Sequence, residues 1–157
     1  MTNNKKGFTL IELLVVIAIF ALIANVAMIS LGKARRESRD AQRMSDINQF
    51  RSALHLYSLE NSNYPNGENI PLGTGNYMIL NFNGWGNDTT PPIFMYSAPR
   101  DPKMANQSPD ACISSSSGSC DYGYSLNNND FIIYFYLEGN IGSMVEGLHV
   151  ATEDEII

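Results

Sequence analysis

The chain has 157 residues, 44% of them hydrophobic, with two cysteines and a formal net charge of −6. That length leaves room for one domain beyond a membrane segment. The acidic balance is a poor match for nucleic acid, whose binding needs Lys and Arg near phosphates, and no P-loop, dinucleotide fingerprint or G-x-S-x-G stretch supplies nucleotide or hydrolase chemistry.

The first seven residues, "MTNNKKG", are short and polar, with Lys5 and Lys6 before Gly7. An apolar run follows from Phe8 to Gly32, interrupted only by Thr9, Glu12, Asn25 and Ser30. Roughly 25 residues are enough to cross a bilayer core as a tilted helix. A carboxylate in such a helix costs about 2.5–3.5 kcal/mol at the bilayer centre, so Glu12 calls for a partner. Cleavage after Gly7 would give Phe8 a free α-amine about one helical turn from Glu12, in the same chain or on a neighbour. A secretory signal peptide fits less well, because the run is long and no small-x-small site closes it.

From Lys33 to Tyr64 there is neither Pro nor Gly, and Met44, Ile47, Phe50, Leu54 and Tyr57 recur at steps of three and four. That spacing predicts one buried helical face, with Asn61, Ser62, Asn63 and Pro65 as the stop. Six bases (Lys33, Arg35, Arg36, Arg39, Arg43 and Arg51) face three acids between residues 33 and 51, while after Ser52 only Arg100 and Lys103 oppose twelve acids. Arg36/Asp40, Asp40/Arg43 and Arg43/Asp46 stand at helical pair spacings. The collar they form reads as a solvated charged face, with anionic lipid or a neighbouring subunit as its other possible contacts.

"KKG" followed by "FTLIELLVV", together with "ALHLYSLENSNYP" at the end of a long helix, closely resembles type IV pilins and the related type II secretion pseudopilins. The resemblance is strong over residues 5–65 and weak afterwards. It implies that a prepilin peptidase cuts between Gly7 and Phe8 and methylates Phe8. It implies also that Glu12 guides docking by neutralising a neighbour's Phe8 amine, in a filament built by an inner-membrane platform protein and, indirectly, an assembly ATPase. Family members often carry a proline further along the helix, where this chain has Ile29 and then Gly32.

Residues 66–103, rich in Gly and Pro, read as a connecting region in which "YMILNF" (77–82) and "IFMYS" (93–97) are short strands. Trp85 stands between glycines, as a pin on the core or as an exposed adhesive residue. Asn87-Asp88-Thr89 matches a glycosylation sequon. "DYGYSL" (121–126) and "FIIYFYL" (131–137) read as paired strands around the turn "NNND", and "GLHVAT" (147–152) as a final strand. Cys112 and Cys120 bracket "ISSSSGS", and in an exported domain two such cysteines form a disulfide.

The expected fold is α+β: a leader (1–7), a membrane or filament-core helix (8–32), an amphipathic helix (33–64) and a disulfide-containing antiparallel β head (65–157). The expected function is a non-enzymatic subunit of a type IV pilus-like filament. The alternatives are a type II secretion pseudopilin and a membrane-anchored monomeric binding domain. No metal or cofactor is expected, with calcium on Asp101, Asp110, Asp121 and Asp130 as the one alternative. Counting bases places the Arg-rich side in the cytoplasm. The cysteines and the leader place the head outside, at the cytoplasmic membrane before assembly and in a pilus or at the cell surface after it.

Overall fold

The computed structural model describes residues 7–157 apart from 115 and 117, so Lys5, Lys6 and the rest of the leader before Gly7 lie outside the described residues. Helix α1 spans Leu10–Asn61 without a break, through Ile29 and Gly32. The chain divides into two compact units between Arg36 and Glu37. In the first unit the helix is apolar and its large side chains are all exposed, from Leu10 to Leu31. It is long and apolar enough to cross a membrane.

Both ends of α1 are closed by local chemistry. Thr9 and Glu12 form a capping box at the start, a reciprocal side-chain arrangement that satisfies amides left over by the first turn. At the other end Ser62 turns into the left-handed region (φ 59°) and its N–H donates to the Ser58 carbonyl at 2.8 Å. That 5→1 bond is the usual αL cap, here made without glycine.

In the second unit α1 buries the face that its spacing predicts. Ile47, Phe50 and Leu54 are fully buried, Tyr57 nearly so, and Met44 packs against the edge of the same cluster. Opposite them lies a four-stranded antiparallel sheet of β1 (Ile70–Pro71), β5 (Gly123–Asn127), β6 (Asp130–Leu137) and β7 (Gly147–Ala151), in the order β1-β5-β6-β7. Strand β6 alternates as a half-covered strand must: Phe131, Ile133, Phe135 and Leu137 are buried, with Ile132, Tyr134 and Tyr136 between them less so. The expected four-residue turn tightens to two, Asn128 and Asn129, both at positive φ (46° and 71°). A two-residue hairpin turn of that hand matches the strand twist, and asparagine tolerates it.

Residues 66–103 hold more regular structure than their Gly and Pro suggest. A second sheet is built from β2 (Ile79–Asn81), β3 (Gly84–Gly86) and β4 (Ile93–Met95), ordered β3-β2-β4. Trp85 therefore sits in a strand rather than a loop. Its indole meets Phe50 and Tyr124 edge-on, with centroids 6.0 and 5.9 Å away. Strands of two or three residues fall below the length at which alternation can be read from sequence.

Candidate functional site

The residues singled out for processing stand just before α1. Gly7 and Phe8 are exposed and non-helical, and Phe8 is 84% accessible. The Glu12 carboxylate is occupied by Thr9, accepting from its N–H at 2.9 Å and from its hydroxyl at 2.7 Å. In return the Glu12 N–H donates to Thr9 Oγ1 at 3.3 Å. Sequence reasoning looked for a cation and passed over Thr9-x-x-Glu12, although S/T-x-x-E before an apolar run is a readable signature. The local donors explain how an apolar helix tolerates the carboxylate before any partner arrives. Asn25, the one amide in the run, is likewise satisfied locally, donating to the Ala21 carbonyl at 2.9 Å.

Cys112 and Cys120 are joined, with Cα atoms 5.0 Å apart. The segment lies against β5, where the Cys112 N–H donates to the Asp121 carbonyl at 2.7 Å. A side chain at Gly123 would overlap the Cys112 carbonyl oxygen, so this close approach requires glycine there.

Lys33, Arg35, Arg36 and Glu37 are exposed, as a solvated charged face requires, but the helical charges from Arg39 to Arg51 are drawn into the head. Arg43 is 2% exposed and gathers three carboxylates. Its Nε and Nη2 donate to the two oxygens of Asp101 at 2.6 and 3.0 Å, and Nη1 donates to Asp40 at 2.6 Å and lies 2.9 Å from Glu138. Arg39 grips Glu138 with a second bidentate fork, at 2.7 and 2.6 Å. The Arg39 hydrogen bonds, reinforced by Arg43, hold Glu138 at about 2, well below an ordinary glutamate. Arg51 donates to the carbonyls of Thr152 and Glu153. Among the described residues Asp46 forms no salt bridge with an arginine; it accepts from the buried Tyr122 hydroxyl at 2.8 Å, and burial pushes its pKa up. The correction has a plain cause. Helical spacing identifies neighbours on the helix, whereas these partners lie far along the chain, at Asp101, Tyr122 and Glu138.

The four aspartates considered for calcium are dispersed among other tasks. Asp101 holds Arg43, and Asp121 accepts from Arg100 at 2.8 and 3.1 Å. Asp130 caps its own turn, accepting from the Phe131 N–H at 2.7 Å. Among the described residues no group of three or more His, Cys, Asp or Glu side chains converges.

Residues 2–24 match the prokaryotic N-terminal methylation motif. The chain is 36% identical over 73 residues to the type IV wide pilus major component PilA4 of Thermus thermophilus, a match covering 46% of this chain and 56% of that protein. Over less than half of its length the chain is thus similar to a type IV pilus component, and it carries the N-terminal methylation motif. It is also 39% identical over 67 residues to the type II secretion system core protein G of Klebsiella michiganensis, covering 42% of this chain and 46% of the relative. The same protein of Escherichia coli K12 is 38% identical over 65 residues, covering 41% and 44%. The match thus spans about half the length of these curated relatives. No solved structure matches the chain. The motif and the exposed apolar helix of this pilin-like chain fit a membrane-anchored subunit of a structural family.

Proposed function

We propose that the chain is a structural subunit of a type IV pilus-like filament, whose activity is assembly rather than catalysis. Its Gly7–Phe8 bond is the cleavage site, Phe8 is the methylated N-terminus, and Glu12 with Phe8 directs docking. The observation that carries this reading is the pairing of an exposed apolar helix with a single carboxylate near its start. Lipid tails are as apolar as leucine, so the apolar surface alone does not favour a neighbour over lipid. A charge pair in low dielectric does discriminate, because an unmatched buried charge costs several kcal/mol. Identical subunits, a prepilin peptidase, a platform protein and, indirectly, an ATPase are the partners this implies. The Cys112–Cys120 bridge and the leader support a head outside the cytoplasmic membrane before assembly and on a pilus or the cell surface after it.

Glu12→Gln is the sharper test, because glutamine retains the capping box with Thr9 and removes only the charge. Cells making this variant should contain cleaved, membrane-bound protein beginning at Phe8, while sheared filaments fall sharply. An intact Met1 in assembled protein, or a normal filament yield from the pure variant, overturns the reading. The likeness to several proteins named type II secretion core protein G favours a second reading, a short periplasmic pseudopilus. Loss of protein secretion without loss of surface filaments, on deleting the gene, would select it.

A further inference from the structure

A cleft of about 430 Å³ opens in the head between the last turns of α1, the segment that follows, the β2–β3 turn and the β5–β6 turn. Its lining contains five asparagines and three aromatic residues, and no Asp, Glu, Lys or Arg. The volume falls within the roughly 300–1,000 Å³ typical of small-molecule sites.

Local structure accounts for some of these amides but not all. Asn61 donates to the Tyr57 carbonyl at 3.1 Å, Asn83 reaches Asp88 at 3.4 Å, and Asn129 answers the positive φ of its turn. Asn63 and Asn66 hold ordinary negative backbone angles, and their side chains make no hydrogen bond among the described residues. Trp85 adds a second, independent observation. Its Nε1–H is shielded from solvent and has no acceptor among the described residues. A buried donor left unpaired costs about 1–3 kcal/mol, and this one belongs to a half-buried indole on the wall of the cleft.

We infer that this cleft is a binding site for a neutral carbohydrate of one or two sugar residues. Each carboxamide offers two donors and an acceptor, which matches hydroxyl groups that both give and take hydrogen bonds. The indole offers an apolar surface to the C–H face of a pyranose. A phosphate or sulfate finds no cation in the lining, in a region where two bases oppose twelve acids after Ser52. A metal ion finds no carboxylate, and a wholly apolar ligand would leave the amides unpaired. The site is independent of whether the filament is a pilus or a pseudopilus.

Trp85 is the single tryptophan of the chain, so its emission reports on the cleft. The full chain in phosphocholine-detergent micelles, which carry no sugar headgroup, is titrated with methyl glycosides of glucose, galactose, mannose and the N-acetylhexosamines, and with lactose, cellobiose and chitobiose. Saturation-transfer NMR is run on the same samples. A saturable emission change is expected for at least one neutral sugar, with roughly millimolar affinity. The exposed double variant Asn63→Ala/Asn66→Ala should bind that sugar at least about tenfold more weakly, and Asn106→Ala, outside the cleft, should bind it as the wild type does. Trp85→Phe, read by NMR, should also weaken it. No saturable response to any sugar, an unchanged double variant, or tighter binding of glucose 6-phosphate or a sulfated galactoside would each overturn the assignment.

Discussion

Replacing Arg43 by methionine tests the most heavily engaged charge in the head. The guanidinium is buried, so a methionine of similar reach fills its channel without bringing a new charge. Asp40 and Asp101 then lose the only guanidinium that hydrogen-bonds to them among the described residues, while Glu138 keeps Arg39. Backbone donors remain, from the Glu138 N–H to Asp40 at 2.9 Å and from the Lys103 N–H to Asp101 at 2.8 Å, but they do not neutralise two buried carboxylates. Breaking a buried pair from one side costs about 3–5 kcal/mol. A small domain is stable by about 5–15 kcal/mol, so the loss is a large share of the total. Arg39→Met is the comparison: its side chain is 30% exposed and its partner keeps Arg43, so about 1 kcal/mol or less is expected.

The assay is urea unfolding of the full chain in micelles, followed by the emission of Trp85, which packs on Phe50 and Tyr124. Its pH dependence separates lost charge from lost packing. In the wild type Glu138 is depressed to about 2, so its contribution is complete above the ordinary glutamate value and is lost only as pH falls towards 2. In Arg43→Met Glu138 keeps Arg39 but loses the part of that depression which Arg43 supplies. The deficit should therefore be greatest at neutral pH and shrink as the medium is acidified from the ordinary glutamate value towards 2. A deficit under about 1 kcal/mol, or one that does not change with pH, would refute the electrostatic account.

Three further outcomes are expected. Replacing both Cys112 and Cys120 by serine should cost about 2.5 kcal/mol by loop entropy for so short a ring, measured by urea unfolding against the oxidised wild type. Asp46→Asn should raise stability at neutral pH, since burial raises the Asp46 pKa and the folded state prefers the neutral form; the advantage should fade as pH drops through that raised pKa, and a destabilised Asp46→Asn at neutral pH would contradict it. The triple variant Arg43→Met/Asp40→Asn/Asp101→Asn, in which Glu138 still has Arg39, should recover most of the stability lost in Arg43→Met, because removing both sides of a buried ion pair is often close to neutral; unfolding as easy as that of Arg43→Met would count against it.

Much of this architecture could be read from local pattern. The 3.6-residue recurrence of Ile47, Phe50, Leu54 and Tyr57 located the helical face, and the alternating apolar residues of "FIIYFYL" located β6. Of the small second sheet, β2 and β4 lie within the expected strands 77–82 and 93–97, whereas β3 could not be read, because its three residues, Trp85 between two glycines, owe their existence as a strand to pairing with β2. Arg43 illustrates the same limit in the site. Its spacing from Asp40 is visible in the sequence, but the fork to Asp101 closes over 58 residues. Thr9 is the opposite case: its capping of Glu12 is local and legible, and was overlooked because the carboxylate was weighed as a charge rather than as an acceptor.

The polar groups of the head also bear on how uniquely α1 seats there. An apolar face repeating every three to four residues can shift by about a turn along a sheet and still bury similar side chains. A bidentate fork tolerates no such shift, since a turn is about 5.4 Å and the hydrogen bonds of Arg43 span only 2.6–3.0 Å. Arg39 on Glu138 and Tyr122 on Asp46 repeat the constraint one turn to either side of Arg43. Buried ion pairs contribute little net stability when compared with apolar packing, but a misplaced one is costly. The core supplies the energy of seating the helix, and the three polar contacts fix its register.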